Sequence, residues 1–198
     1  MDQDFVLERL RSAGALKEGH FLLSSGRHSD RYVEKFDLLR QPRDTEQVCR
    51  GFADHFRGDQ IDVVAGPTTG GIILAFEVGR QLGVAAAYAE RVSNGGTGRE
   101  FRRGTTFEPG SRVLVVDDIL TTGGSVRETL AALQQHPVEI ISVAVLVDRS
   151  GGQIAFDGVP LFSLVNKLEV TSWSAEECPL CIKGVQLVKP GTTAAPKA

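Results

Sequence analysis

Residues 113–125 read VLVVDDILTTGGS, a stretch that predicts a strand, a pair of acids and a loop opening a helix. Four apolar residues lead to Asp117 and Asp118, and hydroxyl-bearing and glycine residues follow. Glycines let a backbone approach a ligand, while amides at a helix N-terminus and nearby hydroxyls donate hydrogen bonds. The loop therefore predicts a phosphate site, although it lacks the terminal Gly-Lys of a Walker A loop.

The acid pair suits a diol better than a phosphate, which two carboxylates would repel. Two vicinal hydroxyls, such as those of a ribose, can each donate to a carboxylate. A phosphate site next to a diol site would fit a ribose 5-phosphate. The alternative is an acidic turn followed by an N-cap, which accounts for Ser125 or Thr122 but not for two acids at the end of a buried strand.

On both sides of this stretch, apolar β-branched runs alternate with helical patterns. The predicted elements are strand 61–66, helix 72–82, strand 84–90, strand 112–117, helix 125–135 and strand 139–148. Apolar runs without alternation are typical of strands covered on both faces, and the helices between them provide parallel crossovers. The sequence therefore predicts an α/β fold with a doubly wound, mostly parallel sheet.

The N-terminal region predicts an amphipathic helix over 4–16 and an irregular hairpin over 19–36. A second helix is predicted to start at Pro42, a residue suited to the first helical turn. We expect a single domain over 1–188, with the core at about 42–160 and a small hood formed by about 1–40 and 160–188. Residues 189–198 have little to bury and are predicted to be disordered.

The composition excludes several classes of protein. With 41% hydrophobic and 24% charged residues, the 198-residue chain has the make-up of a globular protein. A net charge of −3 gives no support for binding nucleic acid or an anionic membrane. The longest apolar runs are too short to span a bilayer, residues 1–14 lack the pattern of a signal peptide, and three cysteines make no disulfide framework. These features predict a cytoplasmic protein.

Two further segments lie where ligands bind in open parallel sheets, beyond the carboxyl ends of strands. Residues 66–71, GPTTGG, taken alone favour a plain turn and N-cap. Residues 91–104, RVSNGGTGREFRRG, combine glycines with four arginines. They predict either a solvated hairpin or a mobile basic lid over an anion.

Residues 113–125 resemble the PRPP-binding motif of type I phosphoribosyltransferases at every position of the usual pattern. The resemblance implies the fold of that family, PRPP as a substrate, and Mg²⁺ held mainly by PRPP rather than by protein side chains. It also implies a homodimer in which the mobile loop reaches the neighbouring site. The PRPP-binding residues implied are Asp117, Asp118, Ile119, Leu120, Thr121, Thr122, Gly123, Gly124 and Ser125, with Thr69, Gly70 and Arg91.

The N-terminal segment resembles one particular family among the type I phosphoribosyltransferases. Residues 19–29, GHFLLSSGRHS, are similar to the hood of the orotate phosphoribosyltransferase family, and ECPLC at 177–181 fits a bacterial branch of it. This implies transfer of the phosphoribosyl group to orotate in pyrimidine biosynthesis. The implied orotate-binding residues are Thr121, Arg149, Tyr32 and Val33. Arginine suits this site because its guanidinium binds a carboxylate in a bidentate manner.

The chain departs from that family where lysines are common. Ser24 and Gly70 occupy two such positions, and the segment after Arg91 also lacks its lysines and histidine. The catalytic work then passes to arginines, which stabilise pyrophosphate charge but cannot readily release a proton. The mobile-loop candidates are Arg99, Arg102 and Arg103.

Cys178 and Cys181 form half of a zinc pattern, with no second cysteine pair and no histidine at metal spacing after them. A complete site would need another subunit or distant histidines, so thiols without a metal are favoured. The four histidines show neither triad nor metal spacing: His20, His28, His55 and His136.

Two alternative functions stay open at this point. One is a type I enzyme for a purine, against which the hood segment and Arg149 argue. The other is a PRPP-sensing regulator that binds nucleic acid, favoured by the missing lysines but opposed by the acidic charge balance.

Overall fold

The computed structural model describes residues 1–23, 25–93, 96–166, 168 and 171–190. The helices are α1 (Gln3–Ser12), α2 (Lys35–Leu39), α3 (Pro42–Phe56), α4 (Gly70–Leu82), α5 (Gly124–Leu133) and α6 (Pro179–Ile182). The strands are β1 (Leu16–Leu22), β2 (His28–Val33), β3 (Val63–Pro67), β4 (Ala85–Arg91), β5 (Arg99–Phe101), β6 (Arg112–Leu120), β7 (Glu139–Asp148), β8 (Leu161–Val165) and β9 (Ser172–Trp173).

The larger sheet has six strands in the order β5-β4-β3-β6-β7-β8, and only β5 runs antiparallel to its neighbour. After β3 the chain moves outward to β4 and β5, and it then returns to the other side of β3 as β6. The strand order therefore reverses between β3 and β6, the place where ligands bind in such sheets. The predicted α/β class and mostly parallel sheet are confirmed.

Strand β6 shows why this sheet needs layers on both faces. Leu114 and Val116 belong to the apolar cluster that includes residues of α1, α3 and α4. Val113 and Val115 belong to the other cluster, which includes residues of α5. All four side chains are fully buried. Because successive side chains of a strand point to opposite faces, an uninterrupted apolar run is what a doubly covered strand requires.

Most predicted elements are present with shifted ends. Helix α3 begins at Pro42 as expected, and β7 has the predicted bounds. Strand β6 extends to Leu120, beyond the predicted end at 117, because Ile119 and Leu120 pair with Val147 and Asp148 of β7. The two acids therefore lie within the ladder, whose hydrogen bonds restrict their positions.

The smaller sheet is antiparallel, with the order β1-β2-β9. The boundaries expected for the hood need correction at two places. Strand β8 lies at the edge of the large sheet, parallel to β7. Helix α1 packs on the core through Val6 and Leu10, which are fully buried. Apolar burial thus assigns both segments to the core side of the molecule.

The end of the described chain is held by β1. The Leu22 amide donates to the Val188 carbonyl at 2.8 Å, and the Val188 amide donates to the His20 carbonyl at 2.8 Å. Within the segment predicted to be disordered, Lys189 and Pro190 line a cavity, and residues 191–198 lie outside the described part. Among the described residues, no helix has the length and apolar character needed to cross a bilayer.

Candidate active site

The acid pair is buried near the carboxyl end of β6, with Asp117 6% and Asp118 2% exposed. The Ser125 hydroxyl donates to Asp117 Oδ2 at 2.7 Å, and the Asp118 amide donates to Asp117 Oδ1 at 2.8 Å. The Ile119 amide and Lys35 Nζ donate to Asp118 Oδ1 at 2.7 and 2.9 Å. Asp118 Oδ2 is buried without a hydrogen-bond partner among the described residues. This oxygen therefore has no donor in the described chain, and it faces Gly70.

Burial and the neighbouring Asp118 carboxylate raise the pKa of Asp117 to about 6. The Ser125 hydroxyl, the Asp118 amide and the Lys35 ammonium lower the pKa, but together they do not offset those two effects. The pair therefore has too few donors around it to favour two full charges. A ligand that presents hydroxyl donors would favour the charged carboxylates.

The loop after β6 opens helix α5. Gly123 is the N-cap residue with φ of 76°, a left-handed conformation that glycine adopts without strain. No side chain caps α5, so its first amides remain available to an anion. Arg127 Nη1 donates to the Thr122 carbonyl at 2.7 Å and holds the loop against the helix. Thr121, Thr122 and Gly124 are exposed at this end of the sheet.

The loop after β3 lies against the acid pair. Thr69 is exposed as the N-cap residue of α4, and the Thr68–Thr69 peptide bond is cis. Gly70 is the first residue of α4, and a Cβ there would overlap Asp118 Oδ2. A side chain at position 70 would displace the carboxylate, so glycine brings the loop backbone and Asp118 together.

A cavity of about 840 Å³ lies between the hood and the end of the large sheet. All four residues expected to bind the base line it: Tyr32, Val33, Thr121 and Arg149. Lys35, Ile119 and Thr122 also line it. The cavity therefore connects the loop after β6 with the strand β2 of the hood.

Arg149 directly follows β7, and its amide donates to the Leu120 carbonyl at 2.8 Å. Burial lowers the pKa of Arg149, while the Tyr32 phenol acts in the opposite direction. Burial also raises the pKa of Tyr32. Within the described residues, no carboxylate forms an ion pair with Arg149. A half-buried cation without an acidic partner is suited to bind an anion.

The segment rich in arginine forms the β4–β5 hairpin, in which Arg91 and Arg99 are paired residues. The expectation that Arg99 lies in a mobile loop needs correction. It lies on β5 with a side chain 3% exposed, its Nε 3.2 Å from Glu128 Oε2. Its Nη1 donates to Thr68 Oγ1 at 2.8 Å and to the Ala89 carbonyl at 3.0 Å. Arg99 thus connects the loop after β3 to helix α5.

Arg102 and Arg103 follow β5 and are more exposed. Arg102 donates to Glu100, and its Nη1 donates to Ser93 Oγ at 2.8 Å. Arg103 donates to both carboxylate oxygens of Glu90 at 3.2 Å. Neither is among the described residues that line the cavity. In this structure both are held by acids of the same hairpin, and Asn94 and Gly95 lie outside the described part.

Comparison with known proteins supports the same interpretation. The model of the phosphoribosyl transferase domain family matches residues 37–178. Orotate phosphoribosyltransferase of Caldanaerobacter subterraneus subsp. tengcongensis is 47% identical over 192 residues, covering 97% of this chain and 98% of that protein. The protein of the same name from Heliobacterium modesticaldum is 47% identical over 194 residues, with 97% and 99% covered. The chain belongs to the orotate phosphoribosyltransferase family.

A solved structure from this family supports the fold as well. The chain is similar to the crystal structure of orotate phosphoribosyltransferase from Aeropyrum pernix, with a TM-score of 0.70 and 29% identity. The similarity covers 81% of this chain and 92% of that one. The fold expected from residues 113–125 and the orotate family expected from residues 19–29 and 177–181 are thereby confirmed.

Lys35 is a site residue that the sequence analysis does not identify. The resemblance drawn from the sequence directs attention to positions 24 and 70, where this chain has no lysine. The first residue of α2 instead brings an ammonium to Asp118 from the side of the hood. The available signal is its place in the sequence, two residues after Val33 at the end of β2.

Proposed function

We propose that this chain transfers the 5-phosphoribosyl group from PRPP to orotate, giving orotidine 5-phosphate and pyrophosphate. The observation that carries the proposal is the shared cavity. Thr121 and Thr122 of the loop after β6 line the same space as Arg149 and Tyr32. A ribose phosphate on that loop would therefore present its anomeric carbon to a base bound beside Arg149. The family to which the chain belongs acts, by name, on orotate.

The ribose would bind at the acid pair. Asp117 and Asp118 would accept hydrogen bonds from its two ring hydroxyls, and Asp118 Oδ2 has no competing donor in the described chain. The 5-phosphate would lie against residues 121–125, where the amides opening α5 and the exposed hydroxyls donate. Ile119 and Leu120 would position the acids through their place in the β6 ladder.

The base would lie between Tyr32 and Val33 on one side and Thr121 on the other. Arg149 would bind the orotate carboxylate, the group that distinguishes orotate from uracil and from purines. Two charge-assisted hydrogen bonds from the guanidinium would fix the ring in one orientation. The attacking ring nitrogen would then face the ribose, and catalysis would depend mainly on this positioning.

The leaving pyrophosphate would lie at the loop after β3. The backbone at Thr69 and Gly70 can approach it closely, and Arg91 at the end of β4 adds a positive charge. Arg102 and Arg103 would reach it by exchanging Glu100 and Glu90 for the pyrophosphate. Neutralising the leaving group favours a transition state in which the ribose carries positive charge.

The site fits Mg²⁺ held mostly by PRPP. Among the described residues, no three carboxylates lie close enough to form a cage for the ion. Asp118 Oδ2 is the available hard oxygen, suited to a hydroxyl of PRPP or to water of a hydrated Mg²⁺. When bound, the ion would neutralise the charge of the pyrophosphate oxygens.

The family resemblance also supports a homodimer, and exposed apolar side chains on two helices are candidates for its interface. Phe76 on α4 is 66% exposed, and Ile182 on α6 is 78% exposed. None of the three cysteines forms a disulfide, which suits the cytoplasm. Light scattering on the purified protein would test the dimer, and a dimer that the Phe76→Asp substitution splits would place its interface on α4.

The direct test of the reaction follows the loss of orotate absorbance with Mg²⁺ and PRPP present. We expect a PRPP-dependent decrease, and no PRPP consumption when adenine, guanine or uracil replaces orotate. Turnover with a purine would instead assign the chain to another base. PRPP binding by calorimetry without turnover on any base would refute the enzymatic proposal and favour a sensor of PRPP.

A further inference from the structure

Four side chains of the types that bind metals meet within the hood. His20 of β1 and His28 of β2 lie beside Cys178 and Cys181, and one ligand atom from each falls within 4.8 Å of all the others. The sequence interpretation favoured thiols without a metal because no histidine follows the cysteines at metal spacing. The structure brings two such distant histidines to the cysteines, from 150 or more positions earlier in the chain.

Four of the distances between these atoms are close to those around one tetrahedral ion. His20 Nε2 lies 3.0 Å from His28 Nδ1 and 3.4 Å from Cys178 Sγ. Cys181 Sγ lies 3.7 Å from His20 Nε2 and 3.2 Å from His28 Nδ1. Ordinary Zn–N and Zn–S bond lengths at tetrahedral angles place neighbouring ligand atoms about 3.3–3.8 Å apart. Small shifts of these side chains would complete the coordination.

Several groups of this cluster compete for one lone pair. His20 Nδ1 lies 2.8 Å from the Val185 carbonyl, an acceptor that requires the proton to be on Nδ1. His20 Nε2 then carries a single lone pair, which three groups approach: His28 Nδ1, Cys178 Sγ and Cys181 Sγ. Only one of them can donate to it. A cation at the centre would instead accept a lone pair from every one of the four atoms.

The contact with Val185 is also the kind that orients a metal-bound histidine. A ring nitrogen that donates to a backbone carbonyl fixes the tautomer and directs the other nitrogen to the ion. Three of the four residues are buried, with His20 2%, His28 5% and Cys178 0% exposed. Two thiolates, two neutral imidazoles and a divalent ion have no net charge, which makes burial of the centre favourable.

We propose that His20, His28, Cys178 and Cys181 bind a structural Zn²⁺. The soft sulfur ligands and the total of four ligands favour this ion, because two sulfurs and two nitrogens in a tetrahedron are typical of zinc. Four protein ligands leave no open position, so the ion has no catalytic role. This site is independent of the proposed transfer of a phosphoribosyl group.

The ion would join the C-terminal segment to the β1–β2 hairpin. Cys178 and Cys181 flank the first turn of α6, and the chain from Val185 to Val188 returns along β1. Strand β2 carries both His28 and Tyr32, so a ligand of the ion and a residue of the cavity share one short strand. Helix α6 has four residues and no buried side chain of its own, and the ion would hold it in place.

The test begins with metal analysis of the reduced protein, produced with a tag that contains no histidine. Mass spectrometry of the digested sample should find about one zinc per chain. Cys178→Ala should lower the zinc content about tenfold or more, whereas Cys49→Ala should leave the zinc content unchanged. The two variants are matched because both thiols are fully buried and only Cys178 is in the cluster. His28→Asn and His136→Asn form a second matched pair, with loss expected only for His28→Asn.

A second measurement uses the unmodified chain, so it does not depend on a variant that folds. Protein stripped of metal by a chelator is titrated with Co²⁺, which should produce the visible absorption of a tetrahedral site and a thiolate-to-cobalt band. Zn²⁺ should remove both signals and restore the melting temperature that the chelator lowered. Absence of zinc together with absence of these bands would overturn the proposal. So would a Cys178–Cys181 disulfide in the active protein, or equal zinc in Cys178→Ala and Cys49→Ala.

Discussion

Lys35 Nζ lies 2.9 Å from Asp118 Oδ1, which connects the hood to the acid pair of the large sheet. Asp118 is almost completely buried, whereas the Lys35 side chain is about one-third exposed and lines the cavity. A ligand that enters between the hood and the sheet therefore meets this ion pair. The lysine keeps Asp118 Oδ1 occupied and leaves Oδ2 directed toward Gly70.

The first prediction concerns this ion pair. Lys35→Met should lower kcat/KM for PRPP about 10- to 100-fold, since a hydrogen bond to a charged group contributes about 1.5–3 kcal/mol. Steady-state kinetics with PRPP varied would measure the effect. Lys17→Met is the matched control, because Lys17 forms an ion pair with Asp37 at 2.6 Å and does not line the cavity. Equal losses in the two variants would remove Lys35 from the site.

A second prediction uses the raised pKa of Asp117. Its pKa of about 6 lies above the ordinary value of 3.8, so the folded protein holds a proton that the unfolded chain releases. The stability from this proton is complete below pH 3.8 and is lost as the pH rises through about 6. For the free enzyme, the free energy of unfolding should therefore fall across this window, by at most about 1.4 kcal/mol per pH unit.

Asp117→Asn should remove this part of the pH dependence, because the amide does not titrate. Urea unfolding at several pH values, without PRPP and Mg²⁺, would measure the difference between the variant and the unmodified chain. Asp157→Asn, at an exposed position, is the control and should leave the slope unchanged. A slope that Asp117→Asn does not alter would contradict the raised pKa.

A third prediction separates the base site from the PRPP site. Arg149→Ala should raise KM for orotate about 100-fold while raising KM for PRPP much less, since two charge-assisted hydrogen bonds are lost. Kinetics with each substrate varied in turn would give both constants. Arg112→Ala is the control, because Arg112 pairs with Glu139 at the opposite end of β6. A similar rise in both Michaelis constants would contradict the assigned role.

A fourth prediction distinguishes the arginines of the β4–β5 hairpin. Arg99→Met should destabilise the fold by about 2–4 kcal/mol, because it breaks a largely buried ion pair with Glu128 and the hydrogen bond to Thr68. Arg102→Ala and Arg103→Ala should each change the free energy of unfolding by less than about 1 kcal/mol, as exposed pairs do. Urea unfolding would measure all three.

The same two exposed arginines should matter for turnover. Arg102→Ala together with Arg103→Ala should lower kcat about tenfold or more, with a modest change in PRPP affinity, because charge on the leaving group develops in the transition state. Single-turnover kinetics and calorimetry would separate the two quantities. An unchanged kcat would identify this segment as a solvated hairpin without a catalytic role.

Local sequence patterns were enough to predict the sheet and its phosphate loop. The apolar run before Asp117 requires cover on both faces, and the glycines after Leu120 require a turn into a helix. These are constraints between neighbouring residues, so they can be read along the chain. Residues 113–125 therefore predicted the fold and the PRPP motif together.

Contacts between distant segments could not be predicted in the same way. Lys35 lies 83 positions from Asp118, and His20 lies 158 positions from Cys178. Arg99 looked like a loop residue because glycines precede it, yet strand pairing with Arg91 and the ion pair with Glu128 bury it. The periodicity and motifs of one segment do not predict which side chain of a distant segment it will contact.

The sequence by itself thus determined the α/β class, the doubly covered strands, the ribose-phosphate loop and the family. Only the tertiary structure decided that Lys35 binds Asp118, that Arg99 is buried and that two histidines meet two cysteines within the hood. The physical reason is range. Backbone propensity and apolar patterns depend on residues that are close in the sequence. Ion pairs and metal sites depend on side chains from distant segments, which come together only when the chain folds.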